Sequence, residues 1–459
     1  MTNTHDALII GAGQAGPPLA GRLTAAGMSV GLVERKLFGG TCVNTGCIPT
    51  KTLIASAYAA HQARRAAEYG VTIAGAVSVD MKAVKARKDM ISARSRVGVE
   101  TWLGRMERCT AYRGHARFVS PQEVQVGDER IVAKKIFINV GGRARVPLLP
   151  GIDRVVTLNN TSILELDELP QHLIVVGGSY VGLEFAQMYR RFGAAVTVVE
   201  KSSRLVAHED EDVSAAIKQI LEAEGIAVRP NAECIRFEPR GVEIAVGLDC
   251  KSGAPLVIGS HVLLAMGRRP NTDDLALDRA GVEVDKHGYI AVDEELRTSA
   301  PDIWALGDCN GRGAFTHTSY NDFEIVAANL LDGERRRLSD RIPGYALYTD
   351  PPLGRVGMTE AQARATGRRL LIGRRPMSRV GRAIEKGETQ GFMMAIADAD
   401  THQILGAAIL GTGGDEAIHG ILDVMNAGVP YTTLQRAVPI HPTVSELIPT
   451  MLGEMQAVS

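Results

Sequence analysis

Of six cysteines in 459 residues, at positions 42, 47, 109, 234, 250 and 309, only Cys42 and Cys47 stand close together along the chain. They lie in Gly39-Gly-Thr-Cys42-Val-Asn-Thr-Gly46-Cys47-Ile-Pro-Thr-Lys51. A thiol pair can bind a metal, form a reversible disulfide or serve as inert core filling. A zinc site needs further Cys or His at ligand spacing, and none stands nearby, so no resident metal is expected. Inert thiols remain the competing reading, because Cys is a common core residue. A regular helix turns residues five apart roughly 140° away from each other, so a bridge requires irregular backbone. Gly46 and Pro49 supply it, with Cys42 at an irregular helix start. A helix N-terminus also lowers a thiol pKa and favours the reactive thiolate.

Two glycine-rich turns add a different chemistry, the binding of phosphate. Gly11-Ala-Gly13-Gln-Ala-Gly16 follows the apolar run Ala7 to Ile10 and opens a helical stretch, with Glu34 closing the next strand. Gly11 permits the tight turn, Gly13 lets the backbone approach a pyrophosphate, and Gly16 allows close helix–strand packing. The helix N-terminus offers unpaired N–H groups to the anion, and Glu34 is placed to hold an adenosine ribose. Pro17 and Pro18 fall in the first helical turn, where a missing N–H is tolerated. The second turn, Gly177-Gly-Ser179-Tyr180-Val-Gly182, carries Ser at the middle glycine position and is followed by Glu200 at a strand end. A carboxylate there bonds the 2′-hydroxyl of NAD and repels a 2′-phosphate, which favours NADH; Lys201 and Arg204 keep NADPH open.

The elements that must carry these turns are apolar runs at Ala7 to Ile10, Lys135 to Val140, Leu173 to Val176 and Val262 to Met266, alternating with helical stretches such as Leu183 to Phe192. This alternation predicts parallel βαβ units and an α/β fold with two Rossmann-like dinucleotide-binding units. Turn signals at Pro147 to Gly151 and Arg268 to Asn271 bracket the second unit. After the charged stretch Asp332 to Arg341, strands at Phe392 to Ala397 and Ile404 to Leu410 and helices over 415–427 and 444–455 predict a separate α+β unit. The expected boundaries are 1–145, 146–270, 271–338 and 339–459. With 51 basic and 52 acidic residues, nothing draws the chain to nucleic acid or anionic membrane, so small-molecule partners are expected. The polar start, Met1 to Asp6, and an apolar run ending at Gly11 are too short for a signal or spanning segment, so a cytoplasmic protein is expected. In that reducing compartment a bridge is catalytic or redox-sensing rather than structural.

Taken in order, a fingerprint of the FAD type, Cys-x4-Cys-x3-Lys, a second nucleotide turn and a C-terminal α+β unit, the chain resembles the pyridine nucleotide-disulfide oxidoreductases along nearly its whole length. Glutathione reductase, dihydrolipoamide dehydrogenase and mercuric reductase belong to that family. The resemblance implies FAD on the first unit, NAD or NADP on the second, a C-terminal dimerisation domain and a homodimer. Residues 39 to 51 match the family's redox element throughout, with Gly40 and Thr41 against the cofactor. Gly307-Asp308 matches its flavin motif, whose carboxylate accepts bonds from the ribityl chain. Lys51 is implied beside the flavin and paired with Glu184, and Tyr180 as a gate over the nicotinamide pocket. Val140-Gly141-Gly142-Arg143 and Met266-Gly267-Arg-Arg-Pro-Asn271 match the outward and return crossings between units. His441-Pro442-Thr-Val-Ser-Glu446 matches an element whose histidine, supplied by the other subunit at the start of the last helix, handles protons while the glutamate orients it. Imidazole suits that task near neutral pH. The match also implies that Cys42 is the exposed interchange thiol and Cys47 the thiolate against the flavin.

The chain departs from the family at Ser179, at Pro351-Pro352, where relatives have Pro-Glu, and in lacking the C-terminal vicinal cysteines of mercuric reductases, its last cysteine being Cys309. The expected function is FAD-dependent electron transfer between NAD(P)H and a disulfide or dithiol substrate. A reductase of soft metal ions, Hg(II) or Cu(II), is the alternative, since thiolates suit such ions. A flavin redox sensor or complex subunit without a turnover substrate is the third.

Overall fold

The computed structural model describes residues 2–233, 235–248 and 256–458, so Cys234 and Cys250 lie outside the described residues. Strand β1 (Thr2–Ile10), helix α1 (Gly16–Ala25) and strand β2 (Val30–Glu34) form a parallel βαβ start. Ala7 to Ile10 are buried, as a parallel strand covered on both faces requires. The strand begins earlier than its apolar run suggests, because polar Asn3, Thr4 and His5 pair in register with Ile131, Val132 and Ala133. Two helices follow in place of one irregular start, α2 (Gly40–Asn44) and α3 (Cys47–Arg65), and then α4 (Met81–Gly104). Asp80 caps α4, accepting from the amides of Lys82 and Ala83 at 2.9 and 3.1 Å. Strands β3 (Cys109–Arg113), β4 (Ala116–Ser120), β5 (Glu123–Val126) and β6 (Glu129–Ile138) complete a sheet of order β3-β2-β1-β6-β5-β4, parallel from β3 to β6 and antiparallel beyond.

The chain leaves through β7 (Gly142–Ala144) and repeats the pattern as β8 (His172–Val176), α5 (Tyr180–Phe192), β9 (Ala195–Val199), α6 (Glu211–Ala223) and β10 (Ala227–Arg229). An antiparallel trio, β11 (Arg236–Arg240), β12 (Glu243–Gly247) and β13 (Leu256–Gly259), precedes β14 (His261–Leu264), which closes the parallel sheet β10-β9-β8-β14. The return strand β15 (Arg268–Pro270) pairs antiparallel with β7, so both crossings run side by side. Strand β16 (Ile303–Ala305) then adds to β6 along Ile136 to Ile138, beyond the stretch that β5 occupies. Helix α7 (Thr316–Ala327) packs with α1 in one core through Leu19, Leu23, Phe323 and Val326.

The remaining strands are β17 (Gly344–Leu347), β18 (Leu353–Gly357), β19 (Leu370–Pro376), β20 (Phe392–Asp398), β21 (Ile404–Leu410) and β22 (Gln456–Val458), with helix α8 (Glu360–Ala365) between β18 and β19. They form one antiparallel sheet of order β17-β18-β21-β20-β19-β22. Alternate residues of β20 face opposite sides. Met393 and Ala395 join the C-terminal helices around Ile421 and Met451, while Met394 and Ile396 share a core with Leu53 of α3 and Leu183 of α5. The α+β unit thus packs directly on the helices that carry the site. The helix expected over 415–427 runs as two pieces, Gly414–Ala417 and His419–Asn426. The last helix is only Ile448–Gly453 after a 3-10 turn at Ser445–Leu447, because Pro449 starts a helix rather than lying inside one. Among the described residues no helix is long and apolar enough to cross a membrane.

Candidate active site

The two glycine turns are built alike. A side chain at Gly11 (φ +109) would meet the Asn139 carbonyl oxygen at 2.2 Å, and one at Gly177 (φ +115) the Ala265 oxygen at 2.3 Å. Gly16 and Gly182 each lie against the carbonyl of the first glycine of their own turn, leaving 2.4 and 2.0 Å for a Cβ. The strand-end acids repeat the same bonds. Glu34 accepts from the amides of Ala12 (2.9 Å) and Lys36 (2.8 Å), and Glu200 from those of Gly178 and Ser202, both at 2.6 Å. Each carboxylate is therefore fixed beside its turn, with the geometry of a dinucleotide cradle. Ser179 has φ −111, a region open to any residue, so its departure from glycine leaves the turn intact. Arg204 gives its guanidinium to the carbonyls of Ala207 and Glu209, both at 3.2 Å.

Gly40 (φ +63) brings the redox segment onto the first turn: a Cβ there would stand 2.8 Å from the Gly13 Cα. The Gly39 amide also donates to the Ala12 carbonyl at 2.9 Å. Thr41 follows in α2, its carbonyl accepting from Thr45 at 2.9 Å. The irregular backbone lies between the cysteines, at Thr45 and Gly46, rather than at Cys42. Cys42 is inside α2, and Cys47 is the first residue of the 19-residue α3, at the positive end of its dipole.

The structure describes the pair in its reduced state, both sulfurs as thiols. The Cys47 thiol is lowered to about 6, first by a hydrogen bond from Cys42, then by the Thr316 hydroxyl and the charge of Lys51, against the cost of burial. Its sulfur lies 3.4 Å from Thr316 Oγ1. Cys42 is raised, first by that same bond and then by burial, so the proton of the pair belongs to Cys42. Cys42 is half-buried and Cys47 is exposed at the start of its helix.

Lys51 is not a solvated charge. Its Nζ meets both oxygens of Glu184, at 3.0 and 2.8 Å, and lies 4.5 Å from the centre of the Tyr348 ring. Glu184 is buried and also accepts from the Tyr348 amide at 3.0 Å. Gln187 and Arg191, one and two turns on along α5, bind Asp350 by its backbone and its carboxylate. One polar stripe of α5 thus holds the α+β unit beside Lys51. Tyr180, at the start of α5, is flanked by Phe315 and Tyr345. Thr316, Tyr345 and Tyr348 escape sequence reading, because no local motif marks them; only Thr316, placed shortly after Gly307-Asp308 at a helix start, left a signal.

Gly141 and Gly267 occupy the two crossings, their carbonyls accepting from Asn271 and Arg145, both at 3.0 Å. Gly307 donates its amide to buried Asp322 at 2.8 Å, and Asp308 pairs with Arg268 at 3.2 Å. His441 stands apart. Its Nδ1 lies 2.8 Å from Glu446 Oε2 in a loop ahead of the last helix, its side chain is 80 % exposed, and among the described residues no hydrogen bond joins it to a cysteine of its own chain.

Residues 5–322 match the family model of the pyridine nucleotide-disulphide oxidoreductases, and residues 343–452 that of their dimerisation domain. The chain is 36% identical over 453 residues to a probable pyridine nucleotide-disulfide oxidoreductase, RclA, of Escherichia coli, covering 97% of this chain and 98% of that one. It is 33% identical to a mercuric reductase of Streptomyces lividans (97% and 94% covered) and 32% to a dihydrolipoyl dehydrogenase of Thermus scotoductus (96% and 95%). A solved Cu(II) complex of RclA, described as an HOCl-induced flavoprotein disulfide reductase, superposes with a TM-score of 0.90 at 35% identity over 98% of this chain and 99% of that one. Family models over both parts and relatives aligned end to end show that this chain belongs to the pyridine nucleotide-disulphide oxidoreductases, FAD enzymes that move electrons between NAD(P)H and sulfur.

Proposed function

We propose that the chain draws electrons from NADH into the Cys42–Cys47 pair and passes them from Cys42 to a small disulfide. The observation that carries this reading is the setting of the Cys47 sulfur, at the start of α3 and 3.4 Å from Thr316 Oγ1, where the nearby Lys51 charge favours a thiolate at Cys47 and leaves the proton to Cys42. The first turn, Glu34, Gly40, Thr41, Gly141, Gly307 and Asp308 would hold FAD, and Gly177, Tyr180, Gly182, Glu200 and Gly267 border the nicotinamide coenzyme. Bound there, FAD supplies the two-electron relay between nicotinamide and cysteines. Lys51, fixed by Glu184, keeps a positive charge beside Cys47. Glu200 and the engagement of Arg204 by its own loop support NADH over NADPH.

Once its proton is removed, the Cys42 sulfur attacks the substrate disulfide, forming a mixed disulfide and releasing one thiol. Cys47 then attacks the Cys42 sulfur, releasing the second thiol and closing the bridge. Because Cys42 holds its proton, the exchange needs a base. The partner subunit's His441, oriented by Glu446, fills that need in a cytoplasmic homodimer, which accounts for an imidazole left exposed within its own chain. The side-by-side crossings β7 and β15 support the boundaries of 1–145, 146–270 and 271–338, and the dimerisation-domain match over 343–452 supports a last unit at 339–459.

A second reading takes Cu(II) as substrate, favoured by the Cu(II) complex of the similar RclA structure. Two thiolates would give one electron to each of two Cu(II) ions, leaving the bridge and two Cu(I). Turnover of the FAD-loaded protein with NADH separates the two. Oxidation of NADH matched by new substrate thiols supports the first reading, and consumption only with Cu(II), yielding Cu(I), the second. No turnover with either leaves neither standing.

A further inference from the structure

Beside the second nucleotide turn, a buried cluster binds three elements and has no part in the chemistry above. Tyr345 and Arg355 stand directly opposite each other in the β17–β18 register, so their side chains leave the same face of the sheet. Both end on one carboxylate. The Tyr345 hydroxyl donates to Glu209 Oε1, while Arg355 donates to Glu209 Oε2 through Nε at 3.0 Å and Nη2 at 2.6 Å. Nη2 also reaches Asp210 Oδ2 at 3.0 Å, and Asp210 accepts from the first amides of α8, those of Glu360 and Ala361. Arg355, Glu209 and Asp210 are 1, 2 and 8% exposed. Burying one guanidinium with two carboxylates gains little stability over apolar packing, but removing a partner is severely penalised, so such a cluster fixes geometry.

What it fixes is an aromatic wall. The Tyr345 ring stacks on Phe315 with centroids 5.7 Å apart and planes 9° from parallel. Tyr180 meets Tyr345 edge-on at 5.4 Å and Phe315 edge-on at 6.0 Å. Burial and the Glu209 charge hold the Tyr345 phenol well above its ordinary pKa, so it remains a donor. The Tyr180 ring therefore leans on a surface secured to a different sheet from the one that bears the coenzyme turn.

We propose that Tyr345 is a positioning residue: clamped with Arg355 onto Glu209, it sets the orientation of Tyr180 and through it the access of the nicotinamide. The inference rests on the reading of Tyr180 as the gate. It also makes the gate answer to the contact between the coenzyme-binding unit and the α+β unit, since Glu209 belongs to the first and Tyr345 and Arg355 to the second.

The test is a double-mutant cycle of Tyr345→Phe and Tyr180→Ala in the FAD-loaded dimer, read by NAD affinity in calorimetry and by the rate of flavin reduction on rapid mixing with NADH. Tyr345→Phe keeps the ring and removes only the hydroxyl, whereas Tyr180→Ala removes the ring that it orients. Tyr345→Phe should shift NAD affinity or the reduction rate about three- to tenfold, leave reoxidation by the disulfide unchanged, and add nothing once Tyr180 is Ala. Additive effects, or an active Tyr180→Ala beside a silent Tyr345→Phe, overturn the positioning role alone. A silent Tyr180→Ala overturns the gate and this inference together. Should Tyr345→Phe fail to retain FAD, Glu209→Gln, which keeps an acceptor for the phenol, replaces it in the cycle, where coupling to Tyr180→Ala supports the positioning role and additivity overturns it.

Discussion

Cys47 concentrates most of the chemistry into one atom. The α3 N-terminus, Thr316 Oγ1 and the Lys51 charge converge on its sulfur, and the Cys42 proton completes the set. A thiol lowered to about 6 is ionised above that pH and protonated below it, so the thiolate is present at neutrality and lost as pH falls through about 6. In the reduced protein, ultraviolet thiolate absorbance should show a step near that pH that Cys47→Ser removes. A first step only above pH about 8, the range of an unperturbed thiol, would refute the assignment. The neighbouring Lys51–Glu184 pair is of a different kind. Glu184 is buried and spends its second contact on the Tyr348 amide, so the pair joins units as well as placing a charge.

At the scale of elements, two copies of one turn–helix–strand device are distinguished by what lies next to them. The first abuts Gly40 and the cysteine segment; the second abuts Tyr180 and the cluster on Glu209. An added methyl at Gly16 or Gly182 would overlap a backbone carbonyl, and overpacking of this kind costs about 1–3 kcal/mol. Gly16→Ala should therefore purify with little flavin, whereas Gly182→Ala should keep its yellow colour and bind NADH about tenfold more weakly, as absorbance and coenzyme titration would read. Loss of flavin from Gly182→Ala would mean that the two cradles have been exchanged. These devices were legible in the sequence because each is local: glycines at fixed spacing, a helix, an acid at the next strand end. Cys42, Cys47 and Lys51 were legible for the same reason. Thr316, Tyr345, Tyr348, Glu209 and Arg355 were not, because they meet the site only when β17, β18 and α7 pack against α3 and α5. The polar start of β1 was hidden likewise, its pairing with β6 being a contact across more than a hundred residues.

For the whole molecule, α5 and the Glu209 loop tie the coenzyme unit to the α+β sheet, while His441 is exposed and pairs with Glu446. In a homodimer completed across subunits, His441→Ala and Cys47→Ser homodimers should each be slow in disulfide reduction, by roughly a hundredfold for loss of the base. Hybrids formed by unfolding and refolding the two together should recover activity, because one of their two sites is intact. Absence of recovery in verified hybrids would place the base within the same chain. The account stands most directly on where the electrons rest. FAD-loaded protein, its pair first oxidised to the disulfide, treated anaerobically with NADH, quenched with an alkylating agent and mapped by peptide mass should gain two labels per subunit, at Cys42 and Cys47, with none there when NADH is withheld. Bleaching of the flavin by NADH with both cysteines still unlabelled would contradict it.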